Sequence, residues 1–172
     1  MRGRRHLIDM LIRLRAFPVV QRAQMGMLVG GFSFLIIYGL STSSQYAHVA
    51  MIMASLGASC VLVFTLPQSP LAQPSNVIFG HILSTGCGLL SLQFFGQTPL
   101  AFGIGVGLAI FVMAVTGTLH PPGAGNPILV IGGNQGLWYL LTPTASGAIV
   151  VVLAGLFYHR FISGHIYPVR KV

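Results

Sequence analysis

A chain of 172 residues in which 54% are hydrophobic and 6% are charged lacks the surface of a water-soluble domain, where about a quarter of the residues are charged. The formal net charge of +8 comes from Arg and Lys near the two ends, and the sequence between Arg22 and Arg160 contains no Asp, Glu, Lys or Arg. This distribution argues against a basic nucleic-acid-binding surface. It predicts an integral membrane protein whose basic ends both stay in the cytoplasm.

The N-terminal region carries a helical pattern of its own. Over residues 4–17, apolar side chains recur at helical spacing and basic ones lie elsewhere, until Pro18 ends the pattern. Such an amphipathic helix suits the anionic surface of a membrane. We therefore expect a basic amphipathic segment at 1–22, a transmembrane domain at 23–162 and a basic C-terminal tail at 163–172.

Apolar stretches separated by short polar loops predict five evident spans, at about residues 25–40, 47–66, 76–95, 99–119 and 143–161. Five crossings would place the two basic ends on opposite faces of the membrane, whereas an even number leaves both in the cytoplasm. A sixth crossing is available if the stretch from Gly123 to Thr142, broken at Gly132–Gly136, also crosses. The sequence thus predicts an all-α polytopic transmembrane helix bundle with five to six crossings, in a bacterial inner membrane or a plastid-type membrane.

Two stretches of this apolar sequence cannot continue as an α-helix. The first contains prolines at 67, 70 and 74. We call the second the His-Pro-Pro segment (residues 119–127). It combines prolines, which lack a backbone donor, with glycines, which permit close or left-handed backbone. Its candidate residues are His120, Pro121, Pro122, Gly123, Gly125 and Asn126. A backbone donor left free in hydrocarbon is strongly unfavourable, so such breaks persist only where protein or a water-filled cavity satisfies them. The break indicates either an anion site built from backbone N–H groups or a packing kink sealed by its neighbours.

The two breaks are related by a weak internal repeat. A small-residue triplet, an aliphatic triplet, a proline and a glycine follow one another over residues 57–80, and the same order recurs over residues 123–147. The repeat divides the chain into halves at 25–95 and 99–162 with three crossings each. Halves with an odd number of crossings are inverted relative to one another, and transporters use such 3+3 inverted repeats to build a site in the middle of the membrane.

The motifs around the breaks resemble those of a known family. The string G-A-S-x-V-L-x-F-x-x-P-x-S-P-L-A-Q-P-x-N-V at residues 57–77, followed by G-H-x-x-S at 80–84, is similar to the first signature of the HPP family of integral membrane proteins. The string L-H-P-P-G-A at residues 119–124 is similar to its second signature. The resemblance covers about residues 25–160. It implies a transporter-like protein, since chloroplast and cyanobacterial members of that family are implicated in nitrite movement.

The repeat predicts that the stretch at 67–76 approaches the stretch at 120–127 near the middle of the protein, so the candidate substrate path takes residues from both breaks. It consists of polar side chains, glycines and prolines: Gly57, Ser59, Gln73, Asn76, His81, His120, Pro121, Pro122, Gly123, Gly125 and Asn126. His81 and His120 are the ionisable side chains expected well inside the spans, and ionisable groups there usually serve function. Either one could carry the proton in proton-coupled anion uptake. The alternative is a neutral histidine that donates a hydrogen bond to a backbone carbonyl.

Enzymatic chemistry is not expected. Asp9 is the only carboxylate in the sequence, so acid–base pairs and Ser-His-Asp triads have no carboxylate member. The spacing of His and Cys indicates no metal site, and no cofactor is implied; Cys60 and Cys87 are expected to be small buried side chains.

The expected partners are a small anion, protons and membrane lipids, but no nucleic acid. Gly26 and Gly30 in the first span form a GxxxG face that suits close helix packing, so a homo-oligomer is a further expectation. The rival to a transporter is a non-transporting membrane scaffold or sensor, whose breaks would be dry and tightly packed.

Overall fold

The computed structural model describes residues 19–47 and 53–169, and these residues form helices and turns without a β-strand. The helices are α1 Val19–Ala47, α2 Ala54–Thr65, α3 Pro74–Phe95, α4 Pro99–Val115, α5 Asn126–Gly132 and α6 Ser146–Tyr158. Two 3-10 turns lie at Pro70–Ala72 and Pro121–Gly125, and π-helical turns extend α6 at both ends, at Leu140–Ala145 and His159–Ser163. The prediction of an all-α membrane bundle is confirmed. The predicted amphipathic helix at 4–17 lies outside the described residues.

Among residues 19–47 and 53–169, three stretches of helix are long and apolar enough to cross a membrane on their own: Ala23–Ser43, Pro74–Phe95 and Leu140–Ser163. The apolar helices α2 and α4 are shorter. With 12 residues, α2 rises about 18 Å, which is less than the hydrocarbon thickness of about 30 Å. The predicted span at 47–66 is thus helical from residue 54 onwards, and residues 48–52 lie outside the described part of the chain.

The ends of α3 and α4 follow from local sequence. Pro74 and Pro99 stand in the first turn of each helix, where the missing N–H has no partner to lose. The hydroxyl of Thr98 accepts a hydrogen bond from the backbone N–H of Ala101 at 3.2 Å and so caps α4. Gly96 ends α3 with a φ of 60°, a left-handed conformation that favours glycine. These signals produce a tight antiparallel α3–α4 hairpin.

The His-Pro-Pro segment and α5 lie along α3 and run parallel to it, from near its start to beyond its end. Near the start of α3, an added Cβ on Gly80 would stand 2.6 Å from the Cβ of His120. Further along, an added Cβ on Gly88 would stand 2.7 Å from the Cα of Pro127. Beyond the end of α3, Gln97 donates from Nε2 to the Ile131 carbonyl at 2.8 Å.

This path corrects the predicted position of the interruption within the stretch 123–142. The turn that follows Gly132 lies at the far end of α3, not part-way along a crossing. The first part of the stretch, a 3-10 turn followed by the 7-residue α5, lies along α3 from Gly80 to its C-terminal end. That this stretch crosses the membrane stays a prediction.

Helices α2 and α6 pack in parallel against one another. An added Cβ on Gly147 would meet the side chain of Leu56, and one on Gly155 would meet Val63, so the contact advances in the same direction along both helices. The two helices contribute most of the main hydrophobic core, and the ring of Phe32 from α1 packs on Tyr158 with ring centroids 5.1 Å apart. The arrangement brings α2 between α6 and the His-Pro-Pro segment.

Candidate functional site

The two broken stretches meet beside the first turns of α3. His120 has 0% of its surface exposed, and its Nδ1 lies 2.8 Å from the carbonyl oxygen of Leu71 in the first break. From the start of α3, Asn76 donates from Nδ2 to the carbonyls of Leu119 at 3.1 Å and Gly117 at 3.3 Å. The prediction that the stretch 67–76 approaches the His-Pro-Pro segment is confirmed, and side chains satisfy backbone groups that the breaks leave free.

A single serine hydroxyl joins the two predicted histidines. Ser59 on α2 places its Oγ 2.8 Å from Nε2 of His81 and 2.9 Å from Nε2 of His120. The two imidazole rings are T-shaped to one another, with centroids 4.9 Å apart. All three residues have 0% exposure. We call this group the His–Ser–His cluster (Ser59, His81 and His120).

Asn126 is the next member of the same hydrogen-bond network. Its Oδ1 accepts from the hydroxyl of Ser55 at 2.7 Å, and its Nδ2 lies 3.0 Å from Nδ1 of His81. The same Nδ2 lies 2.9 Å from Oγ1 of Thr85 and 3.2 Å from the carbonyl oxygen of His81. From Thr85 the network continues to Oγ1 of Thr144 at 3.2 Å. It thereby links α2, α3, the start of α5 and the π-helical turn before α6.

Gly123 lies close to α3, and the surrounding backbone is hydrogen-bonded. An added Cβ there would stand 3.1 Å from the carbonyl oxygen of Gly80, while the Gly123 carbonyl accepts from the hydroxyl of Ser84 at 2.6 Å. The Gly123 N–H donates to the His120 carbonyl at 2.9 Å, and the N–H of Asn126 donates to the Gly123 carbonyl. A backbone anion cradle at these two amides would therefore have to break bonds that the turn already makes.

The remaining predicted residues lie outside the cluster. Gly57 and Pro121 are exposed, and Pro122 and Gly125 are half-buried. Gln73 is buried, but it donates from Nε2 to the carbonyls of Pro67 at 2.9 Å and Ser69 at 2.8 Å. It therefore shapes the first break without contacting either histidine of the cluster.

Gln73 also holds a segment near the C-terminus, the C-terminal strap (residues 166–169). Its Oε1 accepts from the backbone N–H of Val169 at 2.8 Å, and the hydroxyl of Tyr167 donates to the Ala72 carbonyl at 3.0 Å. On the other side of the loop, Gln68 donates from Nε2 to the Ile166 carbonyl at 2.9 Å. Burial raises the pKa of Tyr167, which keeps its hydroxyl a donor to the loop at neutral pH.

Sequence reasoning missed three polar members of the network and one backbone partner. Ser55 precedes Ser59 by one helical turn and Thr85 follows His81 by one turn, so helical spacing alone places each on the same face as its neighbour. Thr144 and the Leu71 carbonyl carry no comparable signal, because Thr144 is 59 residues from Thr85 and Leu71 is 49 residues from His120, the residues they contact. Within the described ranges, no group of three or more His, Cys, Asp or Glu is arranged to hold a metal ion.

Comparison with known proteins finds a transmembrane family and transmembrane relatives. Residues 18–168 match the family model described as HPP, transmembrane region. Two transmembrane proteins of Dictyostelium discoideum are similar: one is 37% identical over 126 residues, which are 69% of this chain and 40% of the relative. The other is 33% identical over 130 residues, which are 71% of this chain and 46% of the relative. The chain spans less than half the length of these relatives, and no solved structure matches it.

Proposed function

Because the chain belongs to the HPP family of transmembrane proteins, we propose that it is a membrane transporter for a small inorganic anion, most simply nitrite, and that a proton moves with the anion. The observation that carries this proposal is the His–Ser–His cluster, which lies where two broken stretches of backbone meet. Histidine is the side chain whose charge changes near neutral pH. A pair of them joined by one hydroxyl provides a place for a proton in a bundle whose sequence has no Asp, Glu, Lys or Arg between Arg22 and Arg160.

The position of the cluster supports this reading. Transporters commonly place their substrate and coupling-ion sites at interrupted helices, because irregular backbone is tolerated inside a membrane only where protein or a cavity satisfies it. Here the short helix α2 supplies Ser59 and the His-Pro-Pro segment supplies His120, while the loop at 67–73 contacts His120 through the Leu71 carbonyl. The cluster also joins residues from the two halves of the internal repeat, since Ser59 and His81 precede residue 95 and His120 follows it. An inverted repeat is part of the proposal.

The cluster is sealed in this structure, because Ser59, His81 and His120 are each 0% exposed. We interpret the sealed arrangement as the occluded state of a carrier, in which neither face of the membrane has access to the site. Transport then requires a separation of α2 from the His-Pro-Pro segment, because their contact closes the cluster. The carrier would lie in a bacterial inner membrane or a plastid-type membrane with both termini in the cytoplasm.

One observation favours the rival function, a non-transporting scaffold or sensor. The cluster is dry in the sense that its side-chain nitrogens and oxygens all have protein partners, and Gly80 and Gly123 bring the backbones into close contact. A scaffold requires this packing and nothing more. A transporter requires the cluster to open, whereas a scaffold does not, so a measurement of anion flux distinguishes the two functions.

The deciding experiment uses purified protein in liposomes, assayed for nitrite, nitrate, formate and chloride flux with and without a pH gradient. We expect a pH gradient to accelerate nitrite uptake and His120→Gln to remove that dependence. A glutamine amide still supplies one donor and one acceptor but cannot become cationic. His165→Gln, at an exposed histidine, is the matched control and should keep the wild-type profile. Absence of anion flux in folded wild-type protein favours the scaffold.

A further inference from the structure

The partners of His120 determine which of its ring nitrogens carries hydrogen in the neutral state. Its Nδ1 faces the Leu71 carbonyl at 2.8 Å, and a carbonyl oxygen only accepts. Nδ1 therefore carries the hydrogen. In neutral His120, Nε2 then presents a lone pair toward the hydroxyl of Ser59, 2.9 Å away.

The partners of His81 determine the opposite tautomer. The side-chain amide of Asn126 has its orientation fixed, because the atom 3.2 Å from the His81 carbonyl oxygen must be the donor Nδ2. That Nδ2 also lies 3.0 Å from Nδ1 of His81, and an amide nitrogen does not accept, so a hydrogen on Nδ1 would have no partner there. Neutral His81 therefore carries its hydrogen on Nε2 and donates it to Ser59 at 2.8 Å.

Ser59 has two acceptors available for its own hydrogen. Its Oγ lies 2.9 Å from Nε2 of His120 and 3.0 Å from the carbonyl oxygen of Ser55. With neutral His120, the hydroxyl donates to Nε2. With His120 protonated on Nε2, the hydroxyl rotates to the Ser55 carbonyl and accepts from both histidines. Every hydrogen bond of the cluster is satisfied in both states without movement of a heavy atom.

We propose that Nε2 of His120 binds the transported proton, that His81 remains neutral, and that the proton accompanies one monovalent anion. One proton adds to the Nε2 lone pair, no covalent bond breaks, and the cluster gains one positive charge. His81 is disfavoured as the site of this proton at Nδ1, because Nδ2 of Asn126, which cannot accept a hydrogen bond, lies 3.0 Å from that atom. This assignment deepens the proposed function, and its anion part rests on that function.

The requirement for an anion follows from the surroundings of His120. The titratable side chain that faces it is His81 on α3. On the neighbouring elements, Cys60 of α2 hydrogen-bonds to Ser33 of α1, and Cys87 is buried on α3. The sequence contains no carboxylate between Arg22 and Arg160, so no Asp or Glu of the bundle can neutralise a buried imidazolium. An uncompensated buried charge is strongly unfavourable, so a mobile anion has to enter with the proton.

A second proton is excluded by the same geometry. The imidazole rings of His81 and His120 have centroids 4.9 Å apart, and two cations at that separation repel strongly in a medium of low dielectric constant. The cluster therefore carries one proton for one singly charged anion. Transport by this route is electroneutral.

The test of the proton site is nitrogen-15 NMR of the full chain, labelled at histidine, in lipid nanodiscs. His81→Gln and His120→Gln each remove one signal and so assign the two residues. At neutral pH we expect hydrogen on Nδ1 of His120 and on Nε2 of His81, and on acidification a cationic His120 beside a neutral His81. The reversed tautomers, or a cationic His81 in place of His120, would overturn the assignment.

Ser59→Ala tests the role of the hydroxyl. It removes the acceptor of the protonated Nε2, so the ratio of cationic to neutral His120 at a given pH should fall about tenfold, the value of one charge-assisted hydrogen bond. Ser91→Ala removes a similarly buried serine that donates to the Ala101 carbonyl, and it should leave the His120 signals unchanged. An unchanged cationic fraction in Ser59→Ala contradicts the proposal. If that variant does not fold, the wild-type tautomers decide.

The anion part is tested by flux in liposomes. A pH gradient should accelerate nitrite uptake, whereas a potassium-diffusion potential should leave the initial rate unchanged. A rate that follows the membrane potential overturns electroneutral transport. The NMR measurement requires no transport, so its failure and a failure of the proposed function are distinguishable.

Discussion

Replacing Gly80 by alanine should separate the His-Pro-Pro segment from α3. The added Cβ would stand 2.6 Å from the Cβ of His120 and 2.9 Å from the backbone oxygen of Thr118. Carbon atoms in contact normally lie about 3.5–4.0 Å apart, so the segment has to move by about 1 Å. Neither contacted atom can rotate away, because one belongs to the backbone and the other is bonded directly to it.

The size of the effect follows from two opposing terms. Overpacking of this kind costs about 1–3 kcal/mol, whereas alanine in place of glycine within a helix contributes about 1 kcal/mol. Gly80→Ala should therefore destabilise the bundle by up to about 2 kcal/mol. The matched control is Gly86→Ala in the same helix, where an added Cβ meets nothing within 4 Å. That variant should be neutral or up to about 1 kcal/mol more stable than the wild type.

The assay is reversible unfolding of both variants in mild detergent, followed by histidine NMR in nanodiscs. A movement of about 1 Å at His120 stretches its bonds to Ser59 and Leu71, which are 2.9 and 2.8 Å long, towards and beyond hydrogen-bonding distance. We therefore expect Gly80→Ala to mix the two tautomers of His120, and Gly86→Ala to leave them unmixed. Equal stability of the two variants together with unchanged His120 signals would show that this close approach does not position the cluster.

Three further predictions concern the strap, the first break and the topology. The raised pKa of Tyr167 means that its contribution to stability is complete below about pH 10, the ordinary tyrosine value, and is lost as the pH rises above it. Tyr167→Phe should flatten that alkaline fall in the unfolding midpoint, and parallel curves for the two proteins would contradict this account. Asn76→Ala removes the donor to two carbonyls before the His-Pro-Pro motif and should cost about 1–3 kcal/mol in the same unfolding assay, whereas an unaltered midpoint would argue that water replaces the amide. Cysteines introduced at residues 3 and 172 should both be protected from an impermeant thiol reagent in intact cells and react after permeabilisation, and protection of only one of them refutes an even number of crossings.

The sequence allowed the fold class and the main contact of the site to be predicted, for physical reasons. A charge-free stretch of this length requires a membrane, and prolines mark where helices stop. Two interrupted stretches in one apolar domain have to find partners, so the approach of the Leu71 loop to His120 was predictable.

The directions of the hydrogen bonds in the site were not predictable. They depend on which carbonyl faces which ring nitrogen, as with Leu71 and His120, and no periodicity encodes that pairing. The exposure of Gly57 was not predictable either. Its place in a repeated motif led to a candidate role, but only the rotation of α2 in the bundle decides that Ser59 points inward while Gly57 is exposed.

The C-terminal strap has a consequence for the biogenesis of the protein. Tyr167 and Val169 anchor the loop that presents the Leu71 carbonyl, from positions 95 and 96 residues further along the chain. During synthesis that loop is therefore without its anchor until residue 169 has left the ribosome. The cluster would be completed only after translation of the bundle, in a step that follows membrane insertion. A reporter or affinity tag fused directly after residue 165 would remove the strap that anchors the loop carrying the Leu71 carbonyl, so fusions intended for topology or purification should retain the strap.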